Sequence, residues 1–198
     1  MHLQLSLSLP QWIKPLVSSH PNSFKTVEDK MRLVLELAKN NVIHKTGGPF
    51  AAAVFNLDTG ELVAVGVNRV MCENCFGAHA EMMALMLAQK ALNTFDLSLK
   101  GNFQLVTSAK MCIMCLGGVI WSGVKEVVYS ADTHDVQSIV GFDEGPVPKE
   151  YKQELVKRGV NVISNVLQKE GQEVLKLYRD SGGFVYNSQN NPLKDSIS

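Results

Sequence analysis

The chain has 198 residues, 45% hydrophobic and 19% charged, a balance that fits one globular domain with a real core. Lys and Arg number 19, as do Asp and Glu, so the formal charge is +0; a protein living on phosphate contacts would carry a basic excess, and a large nucleic-acid partner is disfavoured. There is no run of eighteen apolar residues to span a membrane and no basic n-region with an apolar core to act as a signal peptide, so a cytoplasmic protein is expected.

Residues 3–10, LQLSLSLP, alternate leucine with polar residues at strand period. They read either as an arm that pairs with the body or a partner subunit, or as a loosely held terminus, and residues 1–22 are set apart as an N-terminal arm. From Phe24 to Asn41, Val27, Met31, Val34, Leu35 and Ala38 recur at helical spacing, with Thr26 or Ser23 placed to cap. Phe50–Asn56 and Leu62–Asn68 form a predicted hairpin turned by Asp58-Thr59-Gly60. A helix is predicted from His79 to about Ala91, then a buried strand FQLVTS, an apolar helix MCIMCLGGVIWSG ended by Gly123, and a strand EVVYSA. DTHDVQSIV reads as a short helix and GFDEGPVP as a loop. Lys149–Lys157 is a polar helix stopped by Gly159, VNVISNV a strand, and Glu170–Asp180 the last helix. The domain is set at residues 23–187, with 188–198 as a flexible tail. The order predicts an α/β fold in three layers, with helices on both faces of a central mixed sheet.

Two phrases carry the chemistry. MCENCFGAHAE (Met71 to Glu81) holds two cysteines and a His-Ala-Glu; MCIMC (Met111 to Cys115) repeats the Met-Cys-x-x-Cys wording. A chain this long needs no disulfide staples, so the four cysteines read as thiols or metal ligands. One wiring takes His79, Cys112 and Cys115 as three zinc ligands, which leaves a fourth position open, as in catalytic sites. Cys112 and Cys115 then share a face at a helix start, where the dipole favours thiolates. Glu81 lies near the metal without binding it, fit to take a proton from water. The other wiring takes Cys72, Cys75, Cys112 and Cys115 and closes the site as a structural one. It uses neither His79 nor Glu81, so the first is preferred, with Cys72 and Cys75 as loop thiols near the mouth of the site.

His-x-Glu followed by Cys-x-x-Cys resembles the zinc-dependent nucleobase deaminases. GGPFAAAVF, GVNRV, AHAEMMAL, LVTSAKMCIMCLGGVIWSGV and GFDEGP together resemble the guanine deaminases of the cytidine deaminase-like superfamily, over about Gly47 to Tyr186. The resemblance implies a three-layer sandwich on a five-stranded sheet, and a homodimer whose C-terminal segment exchanges between subunits. It implies that Asn68 hydrogen-bonds a purine, that Phe50, Trp121 and Phe142 shape the pocket, and that Glu144 is a second acid/base group. FVYNS would supply a lid, with Tyr186 in contact. The family has Glu-Pro before the first ligand cysteine, where this chain has Lys110 and Met111. A proline there would suit the first helical position, and a lysine would place positive charge near a helix N-terminus. The implied reaction is hydrolysis of guanine to xanthine and ammonia. The rivals are deamination of an aminotriazine, cytosine or guanosine, and a non-catalytic domain on a four-cysteine zinc site.

Overall fold

In the computed structural model, which describes residues 3–186, five strands form one mixed sheet in the order β2-β1-β3-β4-β5. Strands β1 (Ala51–Asn56) and β2 (Leu62–Val67) make the expected antiparallel hairpin. Gly60 takes φ +71° at its turn, and Asn56 Oδ1 accepts the backbone N–H groups of Asp58 and Thr59. β1 also pairs antiparallel with β3 (Phe103–Ala109). β3 runs parallel to β4 (Glu126–Ala131), and β4 to the short β5 (Asn161–Ile163). The period of two sorts the faces. Ala52, Val54, Leu105 and Val127 point to one side, while Ala53, Phe55, Val106 and Val128 point to the other.

Helices cover both sides, as predicted. Helix α2 (Val27–Ile43) starts where Thr26 accepts the N–H of Asp29; Ser23 donates to the Thr59 carbonyl and caps nothing. With α8 (Gln168–Asp180) it packs on the Phe55 face. Helices α4 (Ala80–Ala91) and α5 (Ile113–Ser122), with α7 (Tyr151–Val156), pack on the other. α5 ends at Gly123, φ +83°, as the sequence indicated. The segment DTHDVQSIV forms the one-turn helix α6 (Thr133–Asp135), opened by a capping box at Asp132, and continues as a π-helical turn over Val136–Val140. No helix among the described residues is long and apolar enough to cross a membrane.

Two segments differ from expectation. Residues 3–10 form no strand within the chain, and Leu3 and Leu5 lie exposed. Instead the short helix α1 (Ile13–Ser18), missed by periodicity, buries Ile13 in the core, with Leu9, Trp12 and Leu16 packed beside it. Cys72 lies in a single helical turn, α3 (Val70–Glu73), ended by Asn74 at φ +47°, and Cys75 follows it in the loop. The tail expected over residues 188–198 lies outside the described residues.

The sheet's topology gathers the loops that matter at one end. β2 runs directly into Asn68, Phe50 directly precedes β1, and β3 runs into Lys110-Met111-Cys112. The switch from antiparallel to parallel pairing occurs at β3. A crevice outside the carboxyl ends of parallel strands is where open α/β sheets bind ligands.

Candidate metal centre and pocket

Both Cys-x-x-Cys phrases can now be placed. His79 is the N-cap of α4 and Cys112 the N-cap of α5. Their extended backbone brings three donor atoms together. His79 Nδ1 lies 3.6 Å from Cys112 Sγ and 3.6 Å from Cys115 Sγ. Tetrahedral zinc with Zn–N near 2.05 Å and Zn–S near 2.3 Å separates nitrogen from sulfur by about 3.6 Å, so the triad fits the ion. Cys72 and Cys75 join no such group: Cys72 is exposed and donates its thiol to the Thr46 carbonyl at 3.2 Å. The four-cysteine wiring fails on geometry. A second carboxylate and imidazole group, Asp132, His134 and Asp135, is already taken up, since Asp135 accepts from Gln168 and Gln172.

The chemistry of the donors also suits a cation. Cys115 donates toward Cys112, and this with the nearby His79 holds the Cys112 thiol down at about 4, against burial. The same hydrogen bond, with burial and the Glu81 carboxyl, pushes the Cys115 thiol well up. A divalent ion on the triad would bind both sulfurs as thiolates and release the proton that Cys115 holds. Glu81 is buried in the first turn of α4, and Cys115 Sγ lies 3.5 Å from its Oε2. Burial, then the neighbouring Cys112, pushes its carboxyl up to about 7. Glu144 faces the same cavity and is pushed up to about 8 by burial, then by Cys112 and Glu81. Its loop is tied to α5, since the Glu144 carbonyl accepts the Ile113 N–H at 3.1 Å. Gly145 allows the approach; a Cβ there would sit 2.7 Å from Ile113 Cγ2.

The cavity encloses about 260 Å³. Asn68 lines it, 2% exposed, with Nδ2 donating to the Tyr186 hydroxyl at 2.6 Å. Gly47 and Gly48 let the preceding loop lie against it; a Cβ at 47 would fall 1.7 Å from the Asn68 carbonyl oxygen. Phe142 meets Phe50 and Tyr186 edge-on, at ring separations of 5.3 and 5.1 Å. Three of the four expected aromatic residues therefore converge.

The fourth does not. Trp121 is 84% exposed near the end of α5, away from the cavity. The buried stripe of α5 is Cys115, Leu116, Val119 and Ser122, and Trp121 falls on the opposite stripe with Ile113 and Ile120. The expected lid contact at Tyr186 is made within the chain. Tyr186 enters the pocket of its own chain, because Gly182 turns the chain at φ +73° and the Tyr178 hydroxyl donates to the Phe184 carbonyl at 2.6 Å. Asn187 and Ser188 of the expected lid lie outside the described residues.

Sequence reasoning missed Val70, Phe76 and Asp143 as lining. Phe76 is 79% exposed between the cysteine pair and His79, and an aromatic beside a metal histidine is the signal that could have found it. Lys110 also lines the cavity, its Nζ 4.0 Å from the centre of the Tyr151 ring. Burial lowers its pKa.

Comparison with known proteins agrees with this geometry. Residues 25–131 match the cytidine and deoxycytidylate deaminase zinc-binding region. A structure of NE0047 in complex with 2,6-diaminopurine is 43% identical, with TM-score 0.85, covering 94% of this chain and 98% of that one. A structure of guanine deaminase from Nitrosomonas europaea gives 43% identity, TM-score 0.85 and 91% and 98% coverage. The guanine deaminase of Bacillus subtilis (strain 168) is 35% identical over 123 residues, 62% of this chain and 75% of its own. The tRNA-specific adenosine deaminase of the same organism is 32% identical over 111 residues, 56% of this chain and 64% of its own. With its His-Cys-Cys triad in place at the starts of α4 and α5, the chain belongs to the cytidine and deoxycytidylate deaminase family of zinc-dependent deaminases.

Proposed function

We propose that this chain hydrolyses the amino group of free guanine, giving xanthine and ammonia. The observation that carries the reading is the convergence of two carboxyls, buried Glu81 and half-buried Glu144, on a cavity that also presents Asn68 and the His79-Cys112-Cys115 triad. Zinc on that triad supplies a Lewis acid that brings the pKa of a water down to about 7.

Glu81 is the base for that water and passes its proton to a ring nitrogen as oxygen bonds to C2. Glu144, whose carboxyl is pushed up by its surroundings, gives a proton to the departing amine as the C2–N bond breaks, and takes back the proton of the new C2 hydroxyl as the carbonyl of xanthine forms. Asn68 offers both a donor and an acceptor to the base edge. Phe142 and Phe50 supply apolar walls for a flat ring, and Tyr186 closes the pocket. The cavity of about 260 Å³ lies below the roughly 300–1,000 Å³ of sites for drug-sized ligands, which supports a free base over a nucleoside or an RNA loop. The neutral charge points the same way.

The assembly in this reading is a homodimer in which each lid serves its own chain. The apolar stripe of Ile113, Ile120 and Trp121, exposed on α5 around an open Gly117, supports it. Free thiols at all four cysteines fit a cytoplasmic setting.

The test is ammonia release by the zinc-loaded protein from guanine, guanosine, adenine, cytosine and aminotriazines. Guanine is expected to give the highest kcat/KM. A higher value for any other compound overturns the substrate, and no release from any of them overturns the enzyme reading.

A further inference from the structure

The N-terminal segment has no part in the chemistry above, yet it is hydrogen-bonded toward Asn68 through a directional relay. Trp12 is held by α1, whose Ile13 is buried in the core, and its ring stacks on His44 at 5.3 Å and 14°. Its Nε1 donates to Thr46 Oγ1 at 3.0 Å. An indole N–H can only donate, so the Thr46 hydroxyl accepts there and turns its own proton to Asn41 Oδ1, 2.7 Å away. That fixes which end of the Asn41 amide is oxygen. Its Nδ2 then donates to the Gly48 carbonyl at 2.8 Å and to the Asn68 carbonyl at 2.9 Å. Asn41 is fully buried, so these bonds lie out of competition with water.

A second strut reaches the same loop. Ser8 donates to Glu73 Oε1 at 3.0 Å, Glu73 pairs with Arg69 at 3.1 Å, and Arg69 donates to the Thr46 carbonyl at 2.7 Å. Arg69 follows Asn68 directly in the chain. Both routes from the N-terminal segment therefore converge on Thr46 and the two sides of Asn68.

We propose that Trp12 is a positioning residue for base recognition: acting through Thr46 and Asn41, it fixes the backbone from which Asn68 presents its amide to the substrate. The inference rests on the role of Asn68 in the reading above. It assigns a function to the segment that precedes the triad without giving that segment any contact with the base.

The experiment is a double-mutant cycle on the zinc-loaded full chain. Trp12→Phe keeps the stacked ring and removes only the N–H; Thr46→Val removes the hydroxyl at nearly the same shape. Losing one net hydrogen bond to a binding loop raises KM for guanine about fivefold, with kcat nearly unchanged. The double variant should do no more than either single one, because one relay has been cut at two points. Unchanged KM in Trp12→Phe overturns the proposal, as do two KM effects that multiply. A fall in thermal midpoint with KM unmoved assigns Trp12 to stability alone and also overturns it. Hydrogen exchange gives a readout independent of turnover: the Gly48 and Asn68 amides should exchange faster in Trp12→Phe, while those of β4 do not. If wild-type protein releases no ammonia from guanine, the function proposed above has failed, and unchanged exchange at Gly48 and Asn68 would then sink the positioning role separately.

Discussion

Gly66 sets how near helix α4 can come to the sheet, and replacing it by alanine should disable the metal centre from a distance. A Cβ at 66 would lie 2.2 Å from the Ala80 carbonyl oxygen and 2.5 Å from the Ala84 amide nitrogen. Both obstacles are helix backbone, so no rotamer change relieves them. To restore ordinary contact the first turn of α4 must retreat by roughly 1.2 Å, the kind of overpacking that costs about 1–3 kcal/mol. His79 and Glu81 flank Ala80, so both move with it. Metal–ligand distances tolerate only about 0.2 Å. Zinc should bind more weakly, and a catalytic misplacement of about 1 Å lowers kcat/KM by about 10²-fold. The assay is zinc per chain after dialysis against a competing chelator, with kcat/KM and the thermal midpoint measured on the same sample. A Gly66→Ala protein with full zinc and wild-type kcat/KM refutes the reasoning. So does a lowered midpoint with intact catalysis, which would mean that the sheet yields and the helix does not.

Glu81→Gln should retain one zinc per chain and lose about 10²–10⁴-fold in kcat, the span of a general acid–base group; metal analysis beside steady-state kinetics decides it. Cys72→Ser/Cys75→Ser should leave zinc stoichiometry unchanged, since neither thiol belongs to the triad; loss of the metal would restore the four-cysteine wiring. In chelator-treated protein, Glu144 makes stability depend on pH. Its carboxyl is raised from 4.5 to about 8 on folding, so the folded state holds the proton more tightly. The stability it contributes is complete below about 4.5 and is lost as pH rises through about 8. Thermal midpoints from pH 5 to 9 should fall more steeply for wild type than for Glu144→Gln, and parallel curves would contradict the assignment.

Much of this site could be read from the chain because its chemistry lies in short, rigid phrases. His79 and Glu81 sit two apart at one helix start, Cys112 and Cys115 three apart at another, and the strand between is buried along its whole length. What failed was long-range or directional. Trp121 is apolar on an apolar helix, and only the packed structure shows which stripe faces the core. The route of Tyr186 to Asn68 depends on a turn at Gly182 that no periodicity marks. The alternating leucines of residues 3–10 fit the strand period but form no strand within the chain, so period alone did not decide between an arm and a loosely held terminus. The role of Asn41 was invisible because its partners lie seven and twenty-seven residues away.

The replacement of Glu-Pro by Lys110-Met111 leaves the three metal-binding side chains in place, and the helix start explains why. A proline at 111 looked like a first helical residue, but α5 begins at Ile113 and Cys112 is its cap. Met111 therefore lies outside the helix, where its N–H is not one of the helix's orphan donors, and its side chain is buried in the core at 1% exposure. The Cys-x-x-Cys spacing itself has a structural meaning here. Cys112 Sγ accepts the Cys115 N–H at 3.5 Å, the bond that a Ser or Asp cap makes three residues on. One sulfur is thus both helix cap and metal ligand, and the other is fixed in reach by the turn it caps. Proline is not needed for that arrangement. Lys110 is likewise removed from the helix terminus, its amine resting on the Tyr151 ring, a contact worth about 0.5–2 kcal/mol. Its effect falls instead on the cavity it lines, where it brings a cation to a wall shared with Glu144. Lys110→Glu should therefore leave zinc content unchanged and alter the ranking of bases in the ammonia-release panel; an unchanged ranking would show that this wall takes no part in choosing the substrate.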